Sequence, residues 1–342
     1  MIMNVQHPVL DPIDERLVHA VQISPRASWS ALAPIVGADS VTLARRWDRL
    51  RAEGLVYVTG HRDSIVGATL AFVEIECAPG ETTALADELA LDREAFTIEL
   101  TAGGRDIVVT LGAADLKSLA EWTFERVQPL HRVRSMRTNI VSQVITDARN
   151  WRMRSLTAGE VAAVQAIDSP STAPAPRLLP EQMSAFLAAL GADGRVSAAA
   201  IAAETGIPVR KVRETISAMR ASGNLVIRVD VARSRTAWPI AAWYFLRVPG
   251  SAVGRVAAQL GRMEEVRFLA NTIGASNMMM SVWLRTLGDV QKLEATIEER
   301  MPGVVIVDRS VVLRTVKHMG HLLDVDGYAT GGNVPIGGRE HG

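Results

Sequence analysis

Four side chains at helical spacing carry the clearest chemistry in this chain: Thr42, Arg45, Arg46 and Arg49 share one face of a predicted helix. Three guanidinium groups and a hydroxyl in that register suit phosphate contact and hydrogen bonding to base edges in a DNA groove. The opposite face, Leu43, Trp47 and Leu50 at i, i+4 and i+7, is apolar and must be buried. A structural helix with a solvated basic face gives the same pattern, so the surrounding elements decide between the two.

Little else in the sequence suits reaction chemistry. Cys77, the one cysteine, closes the apolar run Ala71 to Cys77, which reads as a buried thiol and excludes an internal disulfide or a cysteine metal site. His318 and His321 stand three apart just after the last predicted strand and read as a surface pair rather than metal ligands. Met278, Met279 and Met280 read as core filling in a strand. There is no Walker loop, nucleophile elbow or zinc spacing, so neither a metal nor a cofactor is expected. With 37 basic and 37 acidic residues, the chain has no global pull toward nucleic acid, and any such binding must come from local clusters. No apolar run reaches membrane-spanning length and the first residues lack a cationic, hydrophobic leader, so a soluble cytoplasmic protein with no membrane partner is expected.

The elements around the basic face fit a DNA reader. Asp11 and Pro12 open a first helix, a second ends near Val36, Gly37 supplies a tight turn, and the third runs from about Ser40 to Ala52 before Gly54 stops it. Leu55 to Thr59 alternates as a short strand, which makes residues 10–60 a winged helix-turn-helix. Strands at Ala68 to Cys77, Ala95 to Leu100, Ile107 to Leu111 and Val133 to Ile145, with helices at Glu81 to Leu91 and Asp115 to Val127, give the order βαββαβ over residues 66–150. That is a ferredoxin-like domain, one antiparallel sheet with helices on one face and the other face free to meet a second copy. Residues 151–178 read as one more helix, Trp151 to Ala166, and a proline-rich linker, Asp168 to Pro180.

The first half then recurs. Gly206 stands 169 residues after Gly37, and the same offset relates Arg26 to Arg195, Ser28 to Ser197, Leu32 to Ile201, Leu50 to Met219 and Gly54 to Gly223. Residues 179–232 therefore form a second winged helix-turn-helix. Residues 238–320 form a second ferredoxin-like domain, with strands at Ala241 to Val248, Val266 to Asn271, Met278 to Leu284 and Val304 to Val316 and helices at Ser251 to Leu260 and Gly288 to Arg300. Residues 328–342, rich in glycine, read as a flexible tail.

With these pieces the chain resembles the Lrp/AsnC (feast/famine) transcriptional regulators, in a form where two complete copies are fused. The likeness rests on Leu10-Asp11-x-x-Asp14, Arg26-x-Ser28, Ser40 with Arg46 and Leu50, and Gly54. The second half adds Asp193-Gly194-Arg195-Val196-Ser197 and Gly206. It covers residues 10–150 and 179–320. The resemblance implies an α+β fold of two winged helix-turn-helix units and two ferredoxin-like domains of the RAM type. It implies sequence-specific binding of double-stranded DNA, response to an amino acid or other small metabolite, and a homo-oligomer whose ferredoxin-like domains pair within or between chains.

Carried onto this sequence, the DNA-reading set is Ser40, Thr42, Arg45, Arg46 and Arg49 in the first copy and Arg210, Lys211 and Arg213 in the second. At offset 169, Arg45, Arg46 and Arg49 become Glu214, Thr215 and Ala218, so the first reader is expected to dominate affinity and the second to add a weaker, different half-site. The effector set is the glycine loop between the second and third strands of each sheet: Gly103 and Asp106, where a carboxylate could meet an ammonium, and Gly274 and Asn277, where an amide replaces it. An ordinary β-turn explains both loops equally well. The chain is read as a non-enzyme. Two alternatives remain: an enzyme like the siroheme decarboxylases, which resemble the same unit, and a protein-interaction module that has lost DNA binding.

Overall fold

A computed structural model of the chain describes residues 10–63, 68–167 and 174–337. Part of the expected linker, 168–173, and the end of the expected tail, 338–342, lie outside the described residues. No helix of the described residues is long and apolar enough to cross a membrane.

The first reader is α1 (Pro12–Ile23), α2 (Trp29–Val36), α3 (Ser40–Ala52) and β1 (Val56–Arg62); the second is α7 (Pro180–Ala192), α8 (Ala198–Thr205), α9 (Val209–Ala221) and β6 (Leu225–Val231). Their local geometry repeats. Ser28 and Ser197 both cap their helices by accepting from a backbone N–H three residues on. Gly37 and Gly206 both end them in the left-handed region, at φ 89° and 70°, where a side chain would be strained.

The ferredoxin-like domains follow the expected order. The first holds β2 (Thr69–Cys77), α4 (Thr82–Leu89), β3 (Ala95–Thr101), β4 (Ile107–Ala113), α5 (Leu116–Ala120, continued by a π-helical stretch, Glu121–Val127) and β5 (Val133–Thr146). The second holds β7 (Ile240–Arg247), α10 (Val253–Leu260), β8 (Val266–Ile273), β9 (Met278–Leu284), α11 (Asp289–Arg300) and β10 (Val305–His318). Outward-facing residues such as Val73, Ile75, Tyr244 and Leu246 pack under the helices in two separate cores. Phe72, Trp243, Phe245 and Met279 face the other way and meet in a shared core with the first reader.

The two copies are joined in three places. Wing β1 pairs antiparallel with wing β6, and Thr59 sits opposite Arg228, its own counterpart at offset 169. Strand β5 pairs with β8 and β10 pairs with β3, so that each copy's fourth strand meets the other's second. With β10 also paired to β7, the eight strands form a closed ring of pairings. Pairing within the chain thus satisfies the strand edges that a lone four-stranded sheet would expose. The third joint is a reciprocal arginine clamp. Arg26 donates to the carbonyls of Gly194 (2.6 Å) and Val196 (2.9 Å), and Arg195 donates to those of Pro25 (2.5 Å) and Ala27 (3.0 Å). Arg195 also lies 4.0 Å over the Trp29 ring, and burial lowers its pKa to about 10.

Two expectations are corrected. The helix expected from Trp151 begins later, as α6 (Ala158–Ile167). Arg154 has φ 60°, and Trp151 is drawn into an aromatic contact with Trp283 at 4.7 Å, so the chain runs without helix until Thr157 and Glu160 cap each other and start α6. The glycine-rich stretch is no free tail through residue 337. Strands β11 (His321–Leu323) and β12 (Ala329–Asn333) form a hairpin beside β10. Ala329 donates to the Gly54 carbonyl at 2.9 Å, and a Cβ on Gly54 would lie 2.4 Å from the Ala329 oxygen.

The clamp predicts a stability effect. Arg26→Ala with Arg195→Ala strips charged donors from four carbonyls and should lower unfolding free energy by about 2–4 kcal/mol, with Arg→Lys recovering less than half because an ammonium lacks the planar fork. Urea unfolding followed by circular dichroism measures it.

Candidate nucleic-acid interface and central cavity

Helix α3 begins at Asp39, whose carboxylate accepts from the Val41 and Thr42 backbones and from the Thr42 hydroxyl. Ser40 and Thr42 therefore sit at the helix start, where backbone N–H groups favour anions, although Thr42 is already engaged. Arg46 binds Asp11 (2.5 Å) and Asp14 (2.9 Å) on α1, and Arg49 binds the other oxygen of Asp14. Asp14 is only 2% exposed. Its carboxylate is a buried anchor, and the two arginines neutralise it. Arg45 is exposed and has no ion-pair partner among the described residues.

Helix α9 differs from expectation. Thr215 and Ala218, transferred as exposed positions, are buried. In this copy offset 169 places Pro180 and Met183 where Asp11 and Asp14 stand, so there is no carboxylate at those positions for an arginine to meet. Thr215 instead donates to the Lys211 carbonyl at 2.8 Å. Arg210 is exposed but pairs with Glu214 at 2.7 Å, and Arg213 is exposed with no ion-pair partner among the described residues. Most of the positive charge of α3 is thus spent on the fold, and each of the two units keeps one exposed arginine, Arg45 and Arg213, with no ion-pair partner among the described residues.

The glycine loops serve the joints between copies. Gly103 has φ 115°, and the loop carries Arg105, which pairs with Glu74 of its own copy, into the other copy, where it binds Asp308 (2.7 Å) and Ser310 (2.6 Å) and lies 3.8 Å over Phe245. Asp106 accepts from the Cys77 backbone at 2.7 Å. In the second copy Asn277 accepts from the Val248 N–H and donates to its carbonyl, and Gly274 abuts Asn139. Both loops therefore spend their polar side chains on protein partners.

A cavity of about 520 Å³ lies where the wing ribbon meets the sheets. The ribbon contributes Tyr57, Arg228 and Asp230; the sheets contribute Arg267, His318 and Trp283. Asp230, 2% exposed, receives two hydrogen bonds from Arg228 (2.7 Å each) and one from Arg267 (2.7 Å), with His318 Nε2 at 3.3 Å. Burial alone would raise its pKa, but these cations hold it well below the carboxylate range. His318 and His321 are therefore no surface pair: they face each other across the β10–β11 turn, and His321 stacks 4.5 Å from Tyr57. Burial lowers the pKa of His321 to about 4. Sequence reasoning missed this cluster because its members lie on six strands. Adjacent signals were the pair of histidines and Arg228-x-Asp230, unusual charges in a strand that otherwise reads as apolar.

The comparisons with known proteins concur with the first half of this layout. An AsnC-type helix-turn-helix domain matches residues 10–51, and the Lrp/AsnC ligand binding domain matches residues 70–151. An uncharacterized HTH-type transcriptional regulator of Pyrococcus abyssi is 24% identical over 144 residues, 40% of this chain and 87% of that protein. One of Pyrococcus furiosus is 21% identical over 145 residues, 40% of this chain and 94% of that protein. Among solved structures, the siroheme decarboxylase NirDL has the same fold across 90% of this chain and 93% of its own, with a TM-score of 0.57 and 14% identity. E. coli AsnC covers 40% of this chain and 93% of its own, with a TM-score of 0.34 and 16% identity.

Buried neutral histidines make the structure acid-sensitive. His19, which accepts from the Leu156 N–H at 3.0 Å, is also lowered to about 4 by burial, as His321 is. The unfolded chain takes up protons near pH 6.5 while the folded chain refuses them until about pH 4, so the stability these groups contribute is complete above pH 6.5 and is lost as pH falls toward 4. The urea midpoint should drop between pH 7 and pH 5, and the His19→Gln/His321→Gln variant should flatten that drop.

Proposed function

We propose that this chain, whose first half belongs to the Lrp/AsnC family through its helix-turn-helix and ligand binding domains, is a DNA-binding transcriptional regulator that carries both halves of a dimeric reader in one polypeptide. The observation that carries the reading is the fixed pairing of two helix-turn-helix units by the wing ribbon and the arginine clamp, each with an uncommitted arginine exposed, Arg45 on α3 and Arg213 on α9. Two recognition helices in fixed relation read two half-sites at one spacing. Because the helices differ in sequence, the preferred site is asymmetric. A small metabolite modulates the binding, in keeping with the ligand binding domain.

A second reading has one observation in its favour. The cavity gathers Tyr57, His318 and several arginines, groups suited to binding and protonating an anionic substrate. A likeness in fold to siroheme decarboxylase NirDL, which has also been solved in co-complex with an iron-uroporphyrin III analogue, makes an anionic tetrapyrrole the substrate to try. The regulator reading is preferred because both matched domains and the relatives point to it.

Genomic fragments retained by the protein should share an asymmetric site, and gel shifts on that site should weaken as salt rises. Arg45→Ala and Arg213→Ala should each reduce the salt slope by about one counterion. Arg46→Ala should instead lower stability, because it strips a partner from Asp14. Salt-independent retention, or an unchanged slope in both surface variants, would contradict the reading. A tetrapyrrole absorption band acquired on incubation with uroporphyrin, together with no DNA retention, would favour the enzyme.

A further inference from the structure

The fold claims most of the side chains of helix α3 and leaves one stripe without a structural task. Leu43, Trp47 and Leu50 are buried, Thr42 is held by Asp39, and Arg46 and Arg49 pair with Asp14. What remains lies one position round the helix: Val41, Ala44, Arg45 and Asp48, at i, i+3, i+4 and i+7. Val41, Arg45 and Asp48 are exposed and Ala44 is half-buried.

Val41 is the anomaly in this stripe. It is 75% exposed in the first turn of its helix, where a branched apolar side chain gains little burial and costs some helix propensity relative to an unbranched polar one. The second copy shows that packing does not set the position. At offset 169 Val41 becomes Arg210, whose side chain is 90% exposed, so the site faces solvent in both copies and the fold accepts a long cation there as readily as a valine. The corresponding stripe of α9 is Arg210, Arg213, Glu214 and Ser217, with no apolar member.

A valine one turn ahead of an arginine without an ion-pair partner, at the start of such a helix, has a chemical complement in double-stranded DNA. The first residues of a recognition helix approach base edges, and thymine alone among the four bases presents a methyl group in the major groove. Contact between that methyl and the valine withdraws both from water, while Arg45, one turn on, is placed to donate to guanine O6 and N7.

We infer that Val41 is a specificity-determining residue: it packs on the C5 methyl of a thymine in one half-site, whereas the half-site facing Arg210 has no such requirement. As a base contact it rests on the DNA-binding reading above, to which it adds a source for the asymmetry.

The test takes a DNA fragment retained by the full chain and replaces its thymines one at a time with deoxyuridine, which removes the methyl and keeps every hydrogen-bonding group. One thymine, or two adjacent ones, in a single half-site should lose about fourfold in affinity on replacement, the worth of about one buried methyl. No thymine in the other half-site should respond. Val41→Ser should weaken binding to the unmodified fragment by a similar factor and bring the two fragments to equal affinity, whereas Arg45→Ala should weaken both and keep their ratio. Both variants lie on the surface, and thermal unfolding should match that of the unaltered chain. Retained DNA with no deoxyuridine effect, an undiminished effect in Val41→Ser, or equal effects in both half-sites would overturn the inference and leave the regulator reading standing; no DNA retention at all would overturn both. A change in the solution mass of the Val41→Ser protein would overturn the inference as well, by assigning the valine to a contact between chains.

Discussion

The pairing of wing with wing, β1 against β6 in antiparallel register, is the interaction on which the rest depends. A seven-residue strand at the end of a helix-turn-helix has no sheet of its own and leaves its backbone groups to water. A two-stranded ribbon is marginal by itself. Here the end of α7 supports the ribbon: Gly194 donates to the Val58 carbonyl at 2.7 Å, and Gly60 permits the approach of Leu190, whose Cβ would stand 2.9 Å from a Cβ placed on that glycine. Once the wings are paired, the two readers are in register, and the clamp arginines reach the carbonyls of the opposite copy. The two sheets, brought face to face, then close their edges on each other.

That closure explains where the polar residues went. A buried joint between two modules concentrates charges that need partners, and the chain meets the need both across copies, Arg105 to Asp308, and within one, Arg267 to Asp230. Removing one member of a buried pair costs ~3–5 kcal/mol, so such residues are fixed by the fold before any function is asked of them. The same logic applies to Arg46 and Arg49. Their helical spacing suits a DNA groove, yet the buried Asp14 carboxylate claims both. Function falls to what the fold leaves uncommitted: one arginine on each recognition helix, and the cavity at the ribbon.

Much of this was legible in the sequence, and the physical reason is periodicity. Leu43, Trp47 and Leu50 had to be inside, the alternation from Val133 onward had to be a strand, and the recurrence of Gly37, Ser28 and Gly54 at one offset had to mean a second helix-turn-helix, because each occupies a position that local geometry dictates. What spacing cannot carry is partnership. Whether Arg46 faces solvent or Asp14 depends on a helix thirty residues away, and its counterpart Thr215 is buried where Met183 stands in place of the acid. The cavity was invisible for the same reason, being assembled from strands far apart in the chain. The glycine-rich end misled by composition: glycines read as flexibility, whereas here the left-handed Gly54 admits strand β12 against it.

The central claim is that the two readers belong to one chain and not to two. Spin labels at Arg45→Cys and Arg213→Cys, placed on the same chain with the buried Cys77 left in place, report it directly by pulsed dipolar spectroscopy. Diluting the labelled protein with an excess of unlabelled chain, after unfolding and refolding them together, should leave a single narrow distance between the labels unchanged. Loss of that distance on dilution would mean that the readers pair between chains, and would contradict the account.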